Sequence, residues 1–337
     1  MPTRLAAIGV SHWHSLYDAA YLLHLTEMED VEIVGLHDES LDVATHRANE
    51  LGGGIAVFTD YARMVSEVRP DFVLALGRHD TMAGIAHHLL DNRVPFVMEK
   101  PMSYNARQLR GVVEKAEATS GFAAVPLITR YQPFLQKAKS LIADGTYGPM
   151  THFYARMNRP TSARYPAWGA GWMLDPKLAN GGCLRNLGNH GMDAFVYLTG
   201  EGEEIEVTGA QLSWSGKGLE VEDYASVLIK SPKGVLGTVE LGNGFPRDGT
   251  DGEWKVAFRD AILTLKDDVL KLNTTEAETV LPNEPPGNLA AVAVRDAIDA
   301  SVRGDKPPID VGDCYRAVRL IDLAYIAAGN PYGTAEV

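Results

Sequence analysis

Two periodic patterns of apolar residues share the first 125 positions of the chain. Short, mostly apolar runs are typical of strands buried on both faces. They occupy residues 5–10, 31–36, 71–76 and 94–98. Between them apolar residues recur at helical spacing, as at Leu16, Ala19 and Leu23 directly after the first run. This alternation predicts a doubly wound, parallel α/β sheet of the Rossmann type over residues 1–125.

The pattern changes after residue 125, where strict alternation of apolar and polar residues becomes common. Within residues 151–158, Phe153, Ala155 and Met157 share one side of a predicted strand. The Ser-Pro-Lys-Gly segment at 231–234 separates two more such runs, which is a strong hairpin signal. Further strands are predicted at 254–258, 261–265 and 269–272, and helices at 288–303 and 310–328. Residues 126–337 are therefore predicted to form an α+β domain with a large, mostly antiparallel sheet.

Size and composition narrow the class of protein. A chain of 337 residues fits two domains, and 45% apolar with 22% charged residues is ordinary globular usage. A net charge of −13 opposes binding to phosphate backbones, so we expect no nucleic-acid partner. No apolar run is long enough for a transmembrane helix, and the one after Arg4 is too short for a signal peptide. We therefore expect a cytoplasmic protein with no membrane partner.

A turn that contains glycine follows the first predicted strand, at residues 9–14. In dinucleotide-binding folds the pyrophosphate sits here, on backbone N–H groups at the start of the next helix. The strict pattern has glycine at positions 9, 11 and 14, and this chain has Gly9, Ser11 and His14. Asp38, just after the second strand, could accept hydrogen bonds from ribose hydroxyls and would repel a 2′-phosphate. The sequence thus predicts NAD rather than NADP, and a helix-capping role for Asp38 is compatible with this.

Two polar segments are candidates for catalytic chemistry. Glu99-Lys100-Pro101 ends a predicted strand at the sheet edge where doubly wound folds bind ligands. Residues 181–193 are rich in glycine and polar side chains and lead into a helical pattern. If this segment is helical, Asn186 and His190 share one face because they are four residues apart. His190 could then act as a general base near neutral pH, with ordinary loop roles as the alternative for both segments.

Taken in order along the chain, these motifs resemble the Gfo/Idh/MocA oxidoreductase family, and the resemblance covers nearly the whole chain. Glu99-Lys100-Pro101 resembles the family's Glu-Lys-Pro signature. Arg130, Tyr131 and Pro133 resemble the cluster that opens the family's second domain. The family's GG-x-x-x-D-x-G-x-H-x-x-D stretch is matched by Gly181, Gly182, Gly188, His190 and Asp193. The two late helices also fit this family.

The resemblance implies a dehydrogenase that passes a hydride between a nicotinamide cofactor and a hydroxyl group of a sugar, polyol or sugar acid. Lys100 would hydrogen-bond the reacting hydroxyl, and His190 would accept its proton. The residues expected to bind the cofactor are Gly9, Ser11, His12, Trp13, His14, Asp38, Gly77, Arg78, His79, Glu99 and Lys100. Those expected to bind the substrate are Lys100, Arg130, Arg156, Arg185, Asn186 and His190.

Three departures from the family pattern bear on the expected activity. Ser11 and His14 replace glycines, and residues 77–82 read Gly-Arg-His-Asp-Thr-Met instead of the family's motif with proline and histidine. Asn186 stands where the family usually has an aspartate beside its histidine. Asparagine can orient a hydrogen bond but carries no charge, so we expect a slower dehydrogenase or a protein whose main role is to bind NAD. A redox-neutral, NAD-dependent hydrolase or epimerase is a further alternative.

Four arginines are candidates for recognition of an anionic substrate. They lie in segments expected to converge on the cleft, and they are Arg78, Arg130, Arg156 and Arg185. Guanidinium groups bind carboxylates through paired donors. We therefore expect sugar acids to be better substrates than neutral polyols.

Metal binding and self-association are the remaining questions that the sequence addresses. His12 and His14 could point the same way in an extended segment, but no third ligand follows at a suitable spacing. Cys183 and Cys314 are far apart and form no metal-like pair. We therefore expect no metal site. One face of the second-domain sheet needs a cover, which predicts a homodimer or homotetramer through that sheet.

Overall fold

The computed structural model describes residues 1–200, 202, 204–214, 216, 218–246 and 248–333. The first sheet is parallel, with six strands in the order β3-β2-β1-β4-β5-β6. Its strands are β1 (Thr3–Ile8), β2 (Val31–His37), β3 (Ala56–Phe58), β4 (Phe72–Ala75), β5 (Phe96–Met98) and β6 (Ala123–Ala124). This strand order reverses direction between β1 and β4, so the predicted doubly wound sheet is confirmed.

Five helices cover the first sheet. They are α1 (Tyr21–Thr26), α2 (Leu41–Glu50), α3 (Tyr61–Val68), α4 (His79–Asp91) and α5 (Ala106–Thr119). Side-chain caps fix where several of them begin, because an oxygen satisfies amides that the first turn leaves free. Asp60 caps α3 and Asn105 caps α5 in this way.

The predicted position of the first helix, directly after the first strand, is wrong. A short 3-10 turn (Trp13–Ser15) follows the glycine turn, and α1 begins only at Tyr21. Asp18 and Ala20 have φ angles of 53° and 47°, which interrupt a right-handed helix between these two pieces. The residues after Gly9 therefore form an irregular segment, and the apolar spacing from Leu16 to Leu23 does not belong to one helix.

The second sheet has eight strands in the order β14-β13-β12-β11-β7-β10-β9-β8. These are β7 (Met150–Asn158), β8 (Glu206–Ser213), β9 (Tyr224–Lys230), β10 (Leu236–Gly242), β11 (Asp251–Phe258), β12 (Ala261–Lys266), β13 (Val269–Thr274) and β14 (Glu278–Leu281). Among the described strands of this second sheet, only the β7–β10 pair is parallel, so the mostly antiparallel sheet is confirmed. The edge strands β8 and β14 were not predicted.

Helices pack on one face of the second sheet. They are α6 (Pro133–Asp144) and the long α9 (Cys183–Thr199). The short α7 (Thr161–Ala167) and α8 (Pro176–Ala179) instead pack with Trp13 of the first domain. The inward side chains Phe153 and Ala155 of β7 are buried, as the alternation predicted, and join Phe195 of α9 in one core. This core holds α9 firmly against the centre of the sheet.

The last two helices, α10 (Leu289–Arg303) and α11 (Val311–Ala327), return to the first domain. Val294 and Ile298 of α10 share a core with Leu22 and Leu25 of α1. On α11, Val318 and its neighbours join the core of the first sheet, whereas residues such as Ile321 join the core of the second. The boundary between residues 125 and 126 stays a prediction, because the C-terminal helices bind the two halves together.

Among the residues that the structure describes, no helix is both long enough and apolar enough to span a membrane.

Candidate active site

A cleft opens at the carboxyl ends of β1, β2 and β4. Gly9 directly follows β1, and a Cβ added to it would lie 2.5 Å from the backbone nitrogen of Gly77, after β4. The two turns therefore touch, and only glycine fits at position 9, where φ is 73°. Beside this contact the cleft has a volume of about 520 Å³, and we call it the cofactor cleft. Such a crevice at a strand-order reversal is where doubly wound folds bind dinucleotides.

Asp38 stands at the rim of the cofactor cleft, after β2. One carboxylate oxygen accepts from the Ser11 N–H at 2.7 Å, and the other accepts from the Ser40 N–H at 3.1 Å. Each oxygen keeps a further lone pair. The carboxylate thus positions the glycine turn and the start of α2, and it can still accept from a ligand in the cleft.

The residues expected to bind the cofactor separate into three groups. Those that line the cofactor cleft are Gly9, Ser11, His12, Asp38, Gly77 and Arg78. Those that line a second cavity, described below, are Trp13, His14, Glu99 and Lys100. His79 lines neither, because its Nδ1 lies 2.8 Å from the Ala179 carbonyl oxygen and its ring packs on Trp172. Burial lowers the pKa of His79 to about 3, so it is a neutral packing residue.

A smaller cavity of about 230 Å³ lies between the domains, and we call it the inner cavity. Lys100 reaches it from the end of β5, and Asn186 and His190 reach it from α9. The ammonium of Lys100 donates to the Asn186 side-chain oxygen at 2.7 Å and to the Asn186 backbone oxygen at 3.0 Å. The structure therefore brings the three expected catalytic residues to one site.

The start of α9 explains why residues 181–193 are so rich in glycine. A Cβ on Gly182 would lie 2.1 Å from the backbone oxygen of Glu222, so no other residue fits there. The Glu222 carboxylate accepts from the N–H groups of Gly182 and Leu184, at 2.8 and 3.0 Å, and from the Tyr325 hydroxyl at 2.7 Å. This buried carboxylate caps the helix that carries Asn186 and His190.

Hydrogen bonds orient the side chains of α9 in the inner cavity. The Asn186 amide nitrogen donates to the Tyr165 hydroxyl, which fixes the amide oxygen toward Lys100. His190 Nδ1 lies 2.9 Å from the Thr129 hydroxyl oxygen, so Nε2 is the ring nitrogen left for a ligand. Sequence reasoning missed Thr129, because it belongs to no motif.

Burial and neighbouring charges set the protonation of the inner cavity. Burial, reinforced by the charges of Lys100 and Arg159, holds the pKa of His190 well below its usual range. Burial also lowers the pKa of Lys100, although the Glu99 carboxylate opposes this shift. At neutral pH His190 is therefore unprotonated and able to accept a proton.

His14 lies in the inner cavity instead of on a phosphate turn. Its Nδ1 is 2.9 Å from a Glu99 carboxylate oxygen, and its Nε2 is 3.2 Å from Asp18. The same Glu99 oxygen accepts from the Tyr21 hydroxyl at 2.5 Å. Burial disfavours the charged ring, but Glu99 and Asp18 outweigh it and raise the pKa of His14. Within the described residues no cluster of three or more metal-ligating side chains is present.

The arginines expected to bind substrate have other partners. Arg130 pairs with Asp193 at 2.6 Å and with Asp313 at 2.9 Å, and fully buried Arg185 lies 2.6 Å from Asp322. Neither arginine lines the cofactor cleft or the inner cavity. These ion pairs support the fold around α9 and α11.

An outer cavity of about 570 Å³ adjoins the inner one and is lined by Arg156, Arg159, His190, Trp254 and Lys266, among others. Arg156 is 3.0 Å from Asp251, and Arg78, in the cofactor cleft, is 2.7 Å from Glu39. Arg159, which was not predicted, lines both the inner and the outer cavity.

Comparison with known proteins identifies two matching family models. Residues 4–126 match the model described as an oxidoreductase family with an NAD-binding Rossmann fold, and residues 135–260 match the GFO/IDH/MocA C-terminal domain. One relative, the D-glucoside 3-dehydrogenase of Escherichia coli, is 24% identical over 72% of this chain and 68% of its own length. The inositol 2-dehydrogenase of Rubrobacter xylanophilus is 25% identical over 59% of this chain and 55% of its own length.

Solved structures share the fold over almost the whole chain. An oxidoreductase from Agrobacterium radiobacter, in complex with NAD+, L-tartaric acid and magnesium, has a TM-score of 0.85 at 14% identity. The alignment covers 97% of that structure and 98% of this chain. A levoglucosan dehydrogenase, in complex with NADH and levoglucosan, has a TM-score of 0.82 at 18% identity, with 98% of both chains covered. At these identities the likeness extends to the fold alone.

Proposed function

Because the chain belongs to the GFO/IDH/MocA family of oxidoreductases, we propose that it is an NAD-dependent dehydrogenase acting on a hydroxyl group of a sugar, polyol or sugar acid. The observation that carries this proposal is the meeting of Lys100, Asn186 and His190 in the inner cavity, next to the cofactor cleft. The D-glucoside and inositol dehydrogenases among the relatives support the substrate class.

The cofactor cleft fits a dinucleotide. Gly9 and Gly77 approach each other so closely that a Cβ has no room, which keeps backbone groups exposed along the floor. Asp38 would accept from the adenosine ribose, and Trp172 would cover the cleft from the second domain. When bound, NAD supplies the acceptor for the hydride.

NAD is favoured over NADP by the charges at the rim of the cofactor cleft. Asp38 and Glu39 are both carboxylates, and a 2′-phosphate next to them would be repelled. Arg78 could attract a phosphate, but it already pairs with Glu39 at 2.7 Å and Asp80 at 3.0 Å. We therefore expect this rim to select a cofactor with free ribose hydroxyls.

Lys100 and His190 would both act on the reacting hydroxyl, one as a hydrogen-bond donor and the other as the proton acceptor. The ammonium of Lys100 has three donors, and two of them are bonded to Asn186. The third donor can hold the substrate oxygen while His190 Nε2 accepts its proton. Because His190 is neutral at pH 7, it can take this proton without a prior deprotonation.

A screen of sugars, alditols and sugar acids with NAD and with NADP tests the proposed function. Reduction of NAD by at least one compound, followed by NADH absorbance, is the expected result. If NAD binds by calorimetry but no hydroxyl compound reduces it, the dehydrogenase proposal fails and a binding role gains support. Interconversion or hydrolysis of a sugar without net NADH would instead indicate a redox-neutral enzyme.

We also propose that the protein forms a homodimer through the outer face of the second sheet. Large apolar side chains are exposed on this face, for example Leu228, Leu236 and Ile262. A second copy of the same face would cover them with twofold symmetry. Light scattering measures the mass, and Leu228→Lys should shift a dimer toward the monomer.

A further inference from the structure

Arg159 is fixed at the junction between the inner and outer cavities. It follows β7 directly, and its N–H donates to the Gly242 carbonyl at 2.9 Å while its own carbonyl accepts from the Phe245 N–H at 3.2 Å. Its side chain lines both cavities, as His190 also does. The backbone of Arg159 is thus fixed at a strand end, and its side chain lies beside the proposed proton acceptor.

Among the described residues, the Arg159 guanidinium makes no direct hydrogen bond or ion pair, and the Asp18 carboxylate interacts with its charge only at longer range. The neighbouring arginines differ in this respect. Arg78, Arg156 and Arg185 each lie within 3.0 Å of a carboxylate oxygen. A partly buried charge without a directly bonded partner is costly, and an anionic ligand would offset that cost.

The charges around the inner cavity also favour an anion. Its two carboxylates, Asp18 and Glu99, are both bonded to His14. Lys100 donates to the backbone and side-chain oxygens of Asn186, and both oxygens are neutral. The family usually has a charged aspartate at position 186. The cavity therefore holds two cationic side chains, Lys100 and Arg159, without an ion pair to a carboxylate at either.

We propose that Arg159 binds the carboxylate of the substrate and that hydroxy acids of the sugar-acid class are the preferred substrates. This inference rests on the proposed dehydrogenase function. A guanidinium holds a carboxylate through two parallel N–H···O bonds. Lys100 and His190 would then meet a hydroxyl near the carboxylate, and the outer cavity of about 570 Å³ would take the rest of the carbon chain.

Matched substrate pairs test this assignment. D-gluconate is compared with D-glucitol, and D-glucuronate with D-glucose, by steady-state kinetics with NAD. For the wild type we expect kcat/KM to be at least about tenfold higher for the acids. In Arg159→Gln the KM for the acids should rise by about 10- to 100-fold, because a charge-assisted pair is lost. The KM for the neutral partners, which have no carboxylate for Arg159 to bind, should change little.

Two further variants separate substrate binding from a structural role. Arg159→Lys keeps the positive charge but loses the paired N–H donors of the guanidinium. It should therefore bind acids more tightly than Arg159→Gln and less tightly than the wild type. Arg259→Gln removes the same charge at the opposite end of β7 and β11, where Arg259 pairs with Asp260, and should leave the preference for acids intact. Equal effects of Arg159→Gln on acids and neutral compounds would overturn the proposal.

Binding measured without turnover keeps this test separate from the proposed function. Calorimetry with NAD present measures the binding of a panel of aldonates and uronates to the wild type and to Arg159→Gln. If no compound reduces NAD but acids bind to the wild type and not to Arg159→Gln, the carboxylate site stands and the dehydrogenase proposal fails. If neutral sugars are oxidised and no acid binds or reacts, the dehydrogenase proposal stands and the role of Arg159 is overturned.

Discussion

At the residue scale, Asn186 leaves the position next to the proposed proton acceptor, His190, without a charge. Its amide oxygen accepts from Lys100, and its amide nitrogen donates to Tyr165. An aspartate could accept from both groups, so the hydrogen bonds would survive a substitution. What changes is one negative charge in a buried cavity, where charges interact strongly.

Asn186→Asp should move the pH dependence of the oxidation. His190 must be neutral to accept a proton, so activity is lost as the pH falls through its pKa. Burial and the positive charges nearby lower that pKa in the wild type, and a carboxylate at position 186 would raise it. The acidic limb of the kcat/KM profile should therefore move to higher pH.

Asn92→Asp, at an exposed helix end, is the matched control and should leave that profile unchanged. An unchanged profile for Asn186→Asp as well would contradict the electrostatic argument. Complete loss of activity at every pH would mean instead that the Asn186 amide itself binds substrate.

Lys100→Ala and His190→Ala should each lower kcat by about 10²- to 10⁴-fold, the usual contribution of a positioned acid or base. NAD binding should change little, because neither side chain lines the cofactor cleft. Turnover and calorimetric titration of NAD are measured on the same preparations. Near-normal turnover in either variant would remove that residue from the mechanism.

Asp38→Ala should narrow the preference for NAD over NADP, measured as the ratio of the two dissociation constants. The substitution removes a carboxylate that would accept from the ribose and repel a 2′-phosphate. It also frees the N–H groups of Ser11 and Ser40, so NAD itself should bind more weakly. Asp42→Ala, on the exposed side of α2, serves as the control. Tighter binding of NADP than NAD by the wild type would refute the assignment.

Motifs located some residues of the site but not others. Lys100, Asn186 and His190 stand in recognisable segments, and they meet in the structure as the sequence indicated. Arg159 belongs to no motif, so its position between two cavities was not predictable. Arg130 and Arg185 were expected at the substrate, but their distant partners Asp193 and Asp322 become neighbours only in the folded chain.

At the scale of elements, the start of α9 depends on one buried carboxylate from the connection between β8 and β9. Glu222 accepts from two amides of the first turn and from Tyr325 on α11. The capping group is thus separated in sequence from the helix it stabilises. Such a cap has no local signature, which is why the glycines at 181 and 182 were visible in the sequence and their partner was not.

Glu222→Ala should destabilise the protein by about 2–5 kcal/mol, because three donors lose a buried acceptor. Chemical denaturation measures this change. Activity should fall more than the unfolded fraction explains, since α9 also positions Asn186 and His190. Glu220→Ala, at an exposed position of the same connection, should have almost no effect. Equal stability of the two variants would show that the cap is dispensable.

Element types were more predictable than their exact course. Buried parallel strands and the amphipathic strands β7, β9 and β10 follow from side-chain patterns that repeat within a few residues. The break between Trp13 and Tyr21 depends on left-handed backbone at Asp18 and Ala20, residues that rarely adopt it. The edge strand β14 exposes most of its side chains, so it has no apolar alternation to detect.

At the scale of the whole molecule, the second domain completes the cofactor cleft. Trp172 lies on the segment between α7 and α8, and its ring packs near Trp13 and His79 of the first domain, with centroids 6.0 and 5.1 Å apart. It also lines the cofactor cleft. Cofactor binding and the contact between domains are therefore linked through one aromatic side chain.

Trp172→Ala should weaken NAD binding by about tenfold, the loss expected when a large aromatic contact is removed. It should also reduce the rise in melting temperature that saturating NAD produces in the wild type. Trp214→Ala, which removes an exposed tryptophan of the second domain, is the control. Unchanged affinity for NAD would mean that Trp172 only packs its own segment.

The return of α10 and α11 to the first domain has a consequence for how the chain is made. During synthesis on the ribosome the first sheet emerges well before Val294 and Ile298, which share its core but follow the whole second sheet in the chain. Until then Leu22 and Leu25 lack part of their cover, and the nascent chain presents an apolar surface to chaperones. A premature stop before residue 288 would therefore damage the domain that was translated first.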